Sequence, residues 1–287
     1  MSHRISIIVL ALNEGDHLRQ TVEQLRATAP DAELIVVDDG SNDGCADFLE
    51  SCEGVRLLRT NMVGTAKARN VAVSHAQCEL LVFADAHINV PARWWQPMVE
   101  ILGQPSAGAV ASVVSDTTER DCKGFGMRFR PDITIEWLPL QQRSPYPVAL
   151  IPWCCTAIRR DVFDKAGGFD EGMIRWGGVD LEFSLRLWLL GYELWLIPEL
   201  EIFHLFREDR PYHVEWSWVI HNRLRLAFLH FGRERVARAI EALRGHEAFP
   251  AGLSLTVERD VFLRRAQLAA ARVHDDDWFF NKFGPAW

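Results

Sequence analysis

No Cys-x-x-Cys pair occurs among the six cysteines (Cys45, Cys52, Cys78, Cys122, Cys154 and Cys155), and their spacing is not that of a small secreted disulfide framework. The chain has no basic excess either. Its 31 lysines and arginines face 39 acidic residues, and the net charge of −8 argues against a nucleic-acid partner bound through phosphate neutralisation. No stretch reaches the ~18 uninterrupted apolar residues of a membrane span; Leu185 to Pro198 is broken by Arg186, Gly191 and Glu193. Met1-Ser2-His3-Arg4 leads straight into a strand-like segment without the apolar run of a signal peptide. A glycine-rich phosphate loop near the N-terminus, internal repeats, low-complexity tracts and a clear linker are all missing. The expectation from these absences is a reduced, cytoplasmic, soluble protein.

What is present fits an enzyme. The 287 residues allow one large domain or two halves sharing a cleft, and 48% hydrophobic with 24% charged residues gives ample core. Eleven tryptophans, many in the second half, exceed what a core needs and suggest stacking surfaces or an interface.

Ile5 to Leu12, Glu33 to Val37, Val55 to Arg59 and Leu80 to Ala84 read as strands, separated by helical segments at Glu14 to Thr28, around Phe48 to Ser51, and at Thr65 to Ala76. The alternation implies right-handed crossovers and an α/β fold with a Rossmann-like, mostly parallel sheet flanked by helices. Ligands of such sheets bind beyond the carboxyl ends of the strands. Three of those ends carry Asn13-Glu14, Asp38-Asp39 and Asp85-Ala86-His87. Further on, strands are expected at Ala109 to Ser115, Val148 to Ile158 and Glu193 to Ile197, with a turn at Pro198. Short helices are expected at Asp161 to Lys165 and Asp180 to Leu190, and a helical region from Trp216 to the end.

Three constellations carry chemistry. Asp85 and His87, two residues apart past a buried strand, offer one oxygen and one nitrogen ligand suited to Mn²⁺ or a similar ion; a loop-capping role is the alternative. His204 is either a third ligand or a histidine packed between Phe203 and Phe206. Asp180 follows Trp176-Gly177-Gly178 at the start of a helix, where it is either an N-cap or a general base. Glu182 reads as a helix-surface residue or as a hydrogen-bonding partner of an acceptor.

Taken in order, Val9-Leu10-Ala11-Leu12-Asn13-Glu14, Val36-Val37-Asp38-Asp39-Gly40-Ser41, Gly64 to Asn70 with Ala68-Arg69-Asn70, and Phe83-Ala84-Asp85-Ala86-His87 resemble the nucleotide-binding half of family 2 glycosyltransferases, of the GT-A fold. Trp176-Gly177-Gly178 and Phe203-His204-Leu205-Phe206-Arg207 are similar to motifs in the catalytic domain of polypeptide N-acetylgalactosaminyltransferases, whose metal signature is also Asp-x-His. The resemblance implies a metal-dependent glycosyltransferase using a nucleotide-sugar donor, with a UDP-sugar favoured, and Mn²⁺ or Mg²⁺ as cofactor. It implies that Asp39 accepts the uracil N3–H, that Leu12 and Glu14 sit beside the nucleoside, and that Arg69 braces the uracil side. It further implies that Asp85, His87 and His204 hold the metal, with Ala86 against the nucleotide, and that Arg207 meets the phosphates. Trp153, Trp176, Gly177, Gly178 and Glu182 fall on the sugar and acceptor side.

Departures from the family pattern sharpen the expectation. Val179 replaces the glutamate of Trp-Gly-Gly-Glu, and Asp180 stands where those relatives carry asparagine. Inverting family members commonly place their base there, so inversion with Asp180 as base is expected. Trp153-Cys154 replaces a Gly-Gly that makes room for the sugar, so a bulky indole is expected in the sugar pocket. The polar segment Phe206 to His213 is expected to close over bound donor. Residues 1–215 form the expected GT-A domain, with a nucleotide-binding half at 1–105 and an acceptor half at 106–215; 216–287 form a helical extension that packs on the core, lines an acceptor groove or touches a membrane surface. His274-Asp275-Asp276-Asp277 reads as a solvated turn. The acceptor (peptide, glycan, lipid or small molecule) is left open, and a sugar nucleotidyltransferase or a silent nucleotide-sugar-binding partner are the alternatives.

Overall fold

The computed structural model describes residues 5–119, 121–207 and 209–284, so Met1 to Arg4 and Glu208 of the polar segment lie outside the described residues. The first half runs β1 (Ser6–Ala11), α1 (Asp16–Thr28), β2 (Glu33–Asp38), a 3-10 turn at Asp47–Ser51, β3 (Val55–Arg59), α2 (Thr65–His75) and β4 (Leu80–Asp85). Side chains alternate across each strand, so β1 sends Ile8 to one face of the sheet and Ile7 and Val9 to the other, and all three are buried. On the second face α1 lays down Leu18, Val22 and Leu25, one helical stripe. On the first, α2 packs through Ala66, Ala68 and Ala72, whose small side chains bring helix and sheet close together.

The chain continues through β5 (Ile88–Asn89), α3 (Trp95–Leu102), β6 (Ala107–Asp116), β7 (Lys123–Gly124), β8 (Met127–Phe129), β9 (Ile135–Trp137), β10 (Tyr146–Pro147), β11 (Cys155–Arg159), α4 (Arg160–Ala166), α5 (Val179–Leu189) and β12 (Glu193–His204). It ends in α6 (Trp216–His230), α7 (Arg233–Leu243), α8 (Phe249–Val257), α9 (Val261–Ala271) and α10 (Asp276–Phe283). The main sheet has the order β10-β12-β6-β11-β4-β1-β2-β3, with β5 on β12 and β7 on β6. β1 to β4 are mutually parallel where they pair, and β11 is antiparallel to both β4 and β6. Among the described residues no helix is long and apolar enough to cross a membrane.

Two sequence expectations fail on proline. The strand expected at Val148 to Ile158 is confined to Cys155–Arg159, because Pro152 has no ladder donor; its carbonyl instead takes the Thr156 hydroxyl at 2.6 Å. The turn expected at Pro198 does not form. β12 runs through it as one strand to His204, with the register slipping between Ile197 and Glu201, an irregularity that tolerates a residue without an N–H.

The acidic run that opens α10 is a solvated turn only in part: Asp275 and Asp277 are exposed, and Asp276 is not. Asp275 caps the helix by accepting the Trp278 N–H at 2.8 Å. Asp276 is buried and accepts from the Gly232 N–H and the Arg235 guanidinium, at 2.7 and 2.9 Å.

Candidate functional site

β1, β2 and β4 end side by side: Leu10 pairs with Asp85, and Ala11 with Asp38. Just past β4 the short β5 pairs antiparallel with the end of β12, setting His204 opposite Ile88. That register brings His204 to His87, ring centroids 4.7 Å apart, and to Asp85, Nε2 to Oδ2 3.2 Å. Ligand atoms of Asp85, His87 and His204 all lie within 4.8 Å of one another, so His204 does more than pack between phenylalanines. Two imidazoles and one carboxylate, with coordination positions left over for water and phosphate oxygens, fit Mn²⁺; a hard all-oxygen ion such as Mg²⁺ gains less from the nitrogens. Burial alone would raise the Asp85 carboxyl, but the hydrogen bond from His204 and the Arg69 charge hold it well below the usual range, as a ligand requires.

Glu14, expected beside the nucleoside, is engaged by two side chains of the same rim. It is 6% exposed, and its Oε2 faces both His87 Nδ1 at 3.0 Å and Arg207 Nη2 at 2.6 Å. A carboxylate behind the Nδ1 of a ligating histidine fixes tautomer and ring orientation, leaving Nε2 for the ion. Sequence reasoning missed this role because Asn13-Glu14 ends one strand and His87 follows another; only the parallel register makes them neighbours. Leu12 and Asn13 are half-buried at the same rim, and Ala86 is buried between the ligands. Asp39 is 4% exposed and accepts from the Thr60 hydroxyl and the Val63 and Gly64 N–H groups at 2.7–2.8 Å, which leaves one of its roughly four acceptor positions unused by them.

Arg69, expected to brace the uracil side, is engaged by groups of the chain as well. Only 4% exposed, its guanidinium reaches Asp180 at 3.1 Å, Asp85 at 3.3 Å and the Trp153 carbonyl at 3.2 Å. One buried cation thus ties the metal-ligand acid to the acid at the start of α5. The Asp180 side chain keeps 38% exposure on the cleft and accepts the Trp153 N–H at 3.2 Å. Burial raises the pKa of Asp180, and Arg69 opposes that rise.

Trp153 does not wall a sugar pocket: its ring is fully buried among Phe83, Phe169 and Phe183, with Nε1 donating to the Ser184 hydroxyl at 3.2 Å. Its main chain, not its indole, faces the cleft. Glu182 is not on the acceptor side either. At 1% exposure it forms a two-pronged pair with Arg186, at 2.9 and 2.7 Å, and meets His230 of α6 at 2.8 Å. Trp176 does reach the surface, 36% exposed, with the Arg210 guanidinium 3.9 Å above its ring. Gly177 and Gly178 follow at φ +96° and +79°, a left-handed path that a side chain would strain. The polar segment past β12 folds over the same mouth through Arg207, Arg210 and Pro211, whose carbonyl accepts from Asn13 Nδ2 at 3.1 Å.

Comparison with known proteins follows the same outline. The model of glycosyl transferase family 2 matches residues 6–167, more than half of the chain, and that of the N-terminal domain of galactosyltransferase matches 141–209. Polypeptide N-acetylgalactosaminyltransferase 11 of Xenopus tropicalis is 29% identical over 252 residues, 77% of this chain and 42% of its own length. Polypeptide N-acetylgalactosaminyltransferase 12 of Mus musculus is 29% identical over 235 residues, 73% of this chain and 41% of its own. The chain therefore spans about two-fifths of these curated relatives. The crystal structure of GalNAc-T7 with UDP, GalNAc and Mn²⁺ superposes with a TM-score of 0.81 at 20% identity, covering 98% of this chain and 57% of that one. The fold is GT-A.

Proposed function

This chain belongs to glycosyl transferase family 2, and from that premise we propose that it transfers a sugar from a nucleoside-diphosphate donor to a hydroxyl-type nucleophile. The observation that carries the reading is the convergence of Asp85, His87 and His204 at the carboxyl end of the parallel strands, with Arg207 one salt bridge away through Glu14. Those three side chains would hold Mn²⁺, which as a Lewis acid stabilises the negative charge that develops on a departing diphosphate. UDP is the preferred nucleotide, because Asp39 keeps an acceptor position for a base N–H and because the GalNAc-T7 structure holds UDP with Mn²⁺.

The chain's own groups do the rest. Arg207 adds a cation beside the phosphates. Asp180, across Arg69 from Asp85, takes the proton from the attacking hydroxyl; its raised pKa suits a base that must stay ionised yet accept a proton. Attack from the face opposite the leaving group then inverts the anomeric centre. A sugar without an assigned identity is transferred: Val179 removes a carboxylate from the Trp-Gly-Gly-Glu pattern, which weighs against copying N-acetylgalactosamine from the relatives.

The test incubates the protein with UDP-, GDP- and dTDP-sugars and Mn²⁺ and follows the nucleotide products. Nucleoside diphosphate release supports transfer. Pyrophosphate released in a parallel incubation with nucleoside triphosphates and a sugar 1-phosphate would assign nucleotidyl chemistry, and neither product would leave a binding partner without turnover.

A further inference from the structure

Trp218, His221, Asn222 and Arg225 fall at i, i+3, i+4 and i+7 of α6, a single stripe of large and polar side chains along one face of the helix. All four turn toward one segment, 170–178, the strap that precedes α5. Asn222 Oδ1 accepts the Ile174 N–H at 2.8 Å, and its Nδ2 lies 2.9, 3.2 and 2.8 Å from the carbonyls of Ile174, Trp176 and Gly177. His221 Nε2 meets the Gly172 carbonyl at 3.0 Å, Arg225 holds Asp170 at 2.6 and 3.0 Å, and the Arg175 guanidinium lies 5.7 Å from the Trp218 ring centroid.

The strap is pinned from the other side too. The Arg175 carbonyl accepts the Thr65 N–H at 2.9 Å, and a Cβ on Gly64 would stand 2.8 Å from the Arg175 backbone. Within this clamp Arg175 sits at φ +53°, strained for a non-glycine residue and held only because its surroundings over-determine it. The strap's far end delivers Trp176 to the cleft and starts α5 with Asp180 in its first turn.

We infer that Asn222 is a positioning residue of the active site: through the strap it sets Trp176 and Asp180, which makes α6 part of the catalytic architecture. The inference rests on the transferase reading for Asp180, but the clamp itself has an independent readout. Three variants are compared: Asn222→Ala, which removes the whole grip; Asn222→Asp, which keeps the acceptor for Ile174 and loses the donors; and Leu224→Ala, a cavity against Leu243 and Ile220 on the other side of α6. Hydrogen exchange followed by mass spectrometry is expected to quicken about tenfold or more across 172–180 in both Asn222 variants and to stay unchanged there in Leu224→Ala.

Nucleoside diphosphate release under saturating donor is expected to fall about a hundredfold in the Asn222 variants while UDP and Mn²⁺ affinities, read by calorimetry, stay within about threefold. Unchanged exchange across 172–180, or an equal loss of turnover in Leu224→Ala at matched loss of melting temperature, overturns the inference. A wild-type protein that releases no nucleotide would overturn the transferase reading instead, and the exchange data would still decide for or against the clamp. Should Asn222→Ala fail to fold, Asn222→Asp carries both readouts.

Discussion

His204 Nε2 lies 3.2 Å from Asp85 Oδ2 although 119 positions separate the two residues. Neither side chain is held there by local sequence. Asp85 ends a parallel strand, and His204 is placed by pairing with β5 on one side and with Asp116 of β6 on the other. The donor set is therefore as rigid as the sheet that carries it.

Removing either ligand is expected to cost the ion without costing the fold. Asp85→Asn and His204→Ala should each weaken Mn²⁺ binding in the presence of UDP by about a hundredfold or more, since these are direct ligands and even supporting residues of such sites are worth about 10–100-fold. Calorimetry reads the affinity, and an unchanged circular dichroism spectrum checks the fold. Affinity within threefold of wild type in both variants would dismiss the triad as a metal site.

Asp180→Asn keeps size and hydrogen-bonding shape but cannot accept a proton. Transfer should drop by about 10²–10⁴-fold with UDP binding retained. In the parent protein the working form is the ionised one, so the rate should fall as pH drops through a pKa that burial has raised above that of an ordinary aspartate. Arg69→Gln removes the cation that opposes this rise, and the acid limb of the pH–rate profile should move to higher pH at saturating Mn²⁺. A limb that stays in place, or an Asp180→Asn variant with full turnover, excludes this carboxylate as the base.

Trp153→Phe tests the burial of the indole. Losing the Nε1 hydrogen bond and leaving the Ser184 hydroxyl short of a partner should cost about 1–3 kcal/mol in denaturant unfolding. Donor preference should not change, because the ring does not reach the cleft; an altered ranking of sugar nucleotides would return the residue to the sugar pocket.

His221 should make the protein sensitive to mild acid. Burial lowers its pKa to about 4, against 6.5 for an exposed histidine. Between those values the unfolded chain binds a proton that the folded one refuses, so stability is complete above pH 6.5 and declines as pH falls toward 4, by at most roughly 3 kcal/mol. Burial lowers the pKa of His230 as well, adding a slope of the same sign. Urea unfolding at pH 7 and pH 4.5 should show the decline, and His221→Gln should flatten part of it; equal stability at both pH values would contradict the assignment.

Much of the first half was readable because each strand is short, apolar and punctuated by polar residues at its carboxyl end. Those polar ends, Glu14, Asp39, Asp85 and His87, do gather at one rim. The partners assigned to them were less accurate. Glu14, Arg69 and Glu182 looked like groups waiting for a ligand, yet they are buried against His87 and Arg207, against Asp85 and Asp180, and against Arg186 and His230. A charged residue in a sequence does not announce whether its counter-charge is a ligand or another residue far along the chain. The stripe on α6 could have been found from its i, i+3, i+4, i+7 spacing, but helical periodicity is usually searched for apolar residues, and this stripe is mostly polar.

The helices beyond residue 215 are not an appendage. Leu226, Ala227 and Phe231 are completely buried in the same apolar cluster as the central sheet, and Glu182 needs His230 as Asp170 needs Arg225. A recombinant fragment ended at 215 would present bare hydrocarbon to water and strand two interior carboxylates, one of them parted from the Arg225 guanidinium that pairs with it. Such a minimal version belongs in the inclusion-body fraction, and anyone shortening this protein for expression should leave α6 in place.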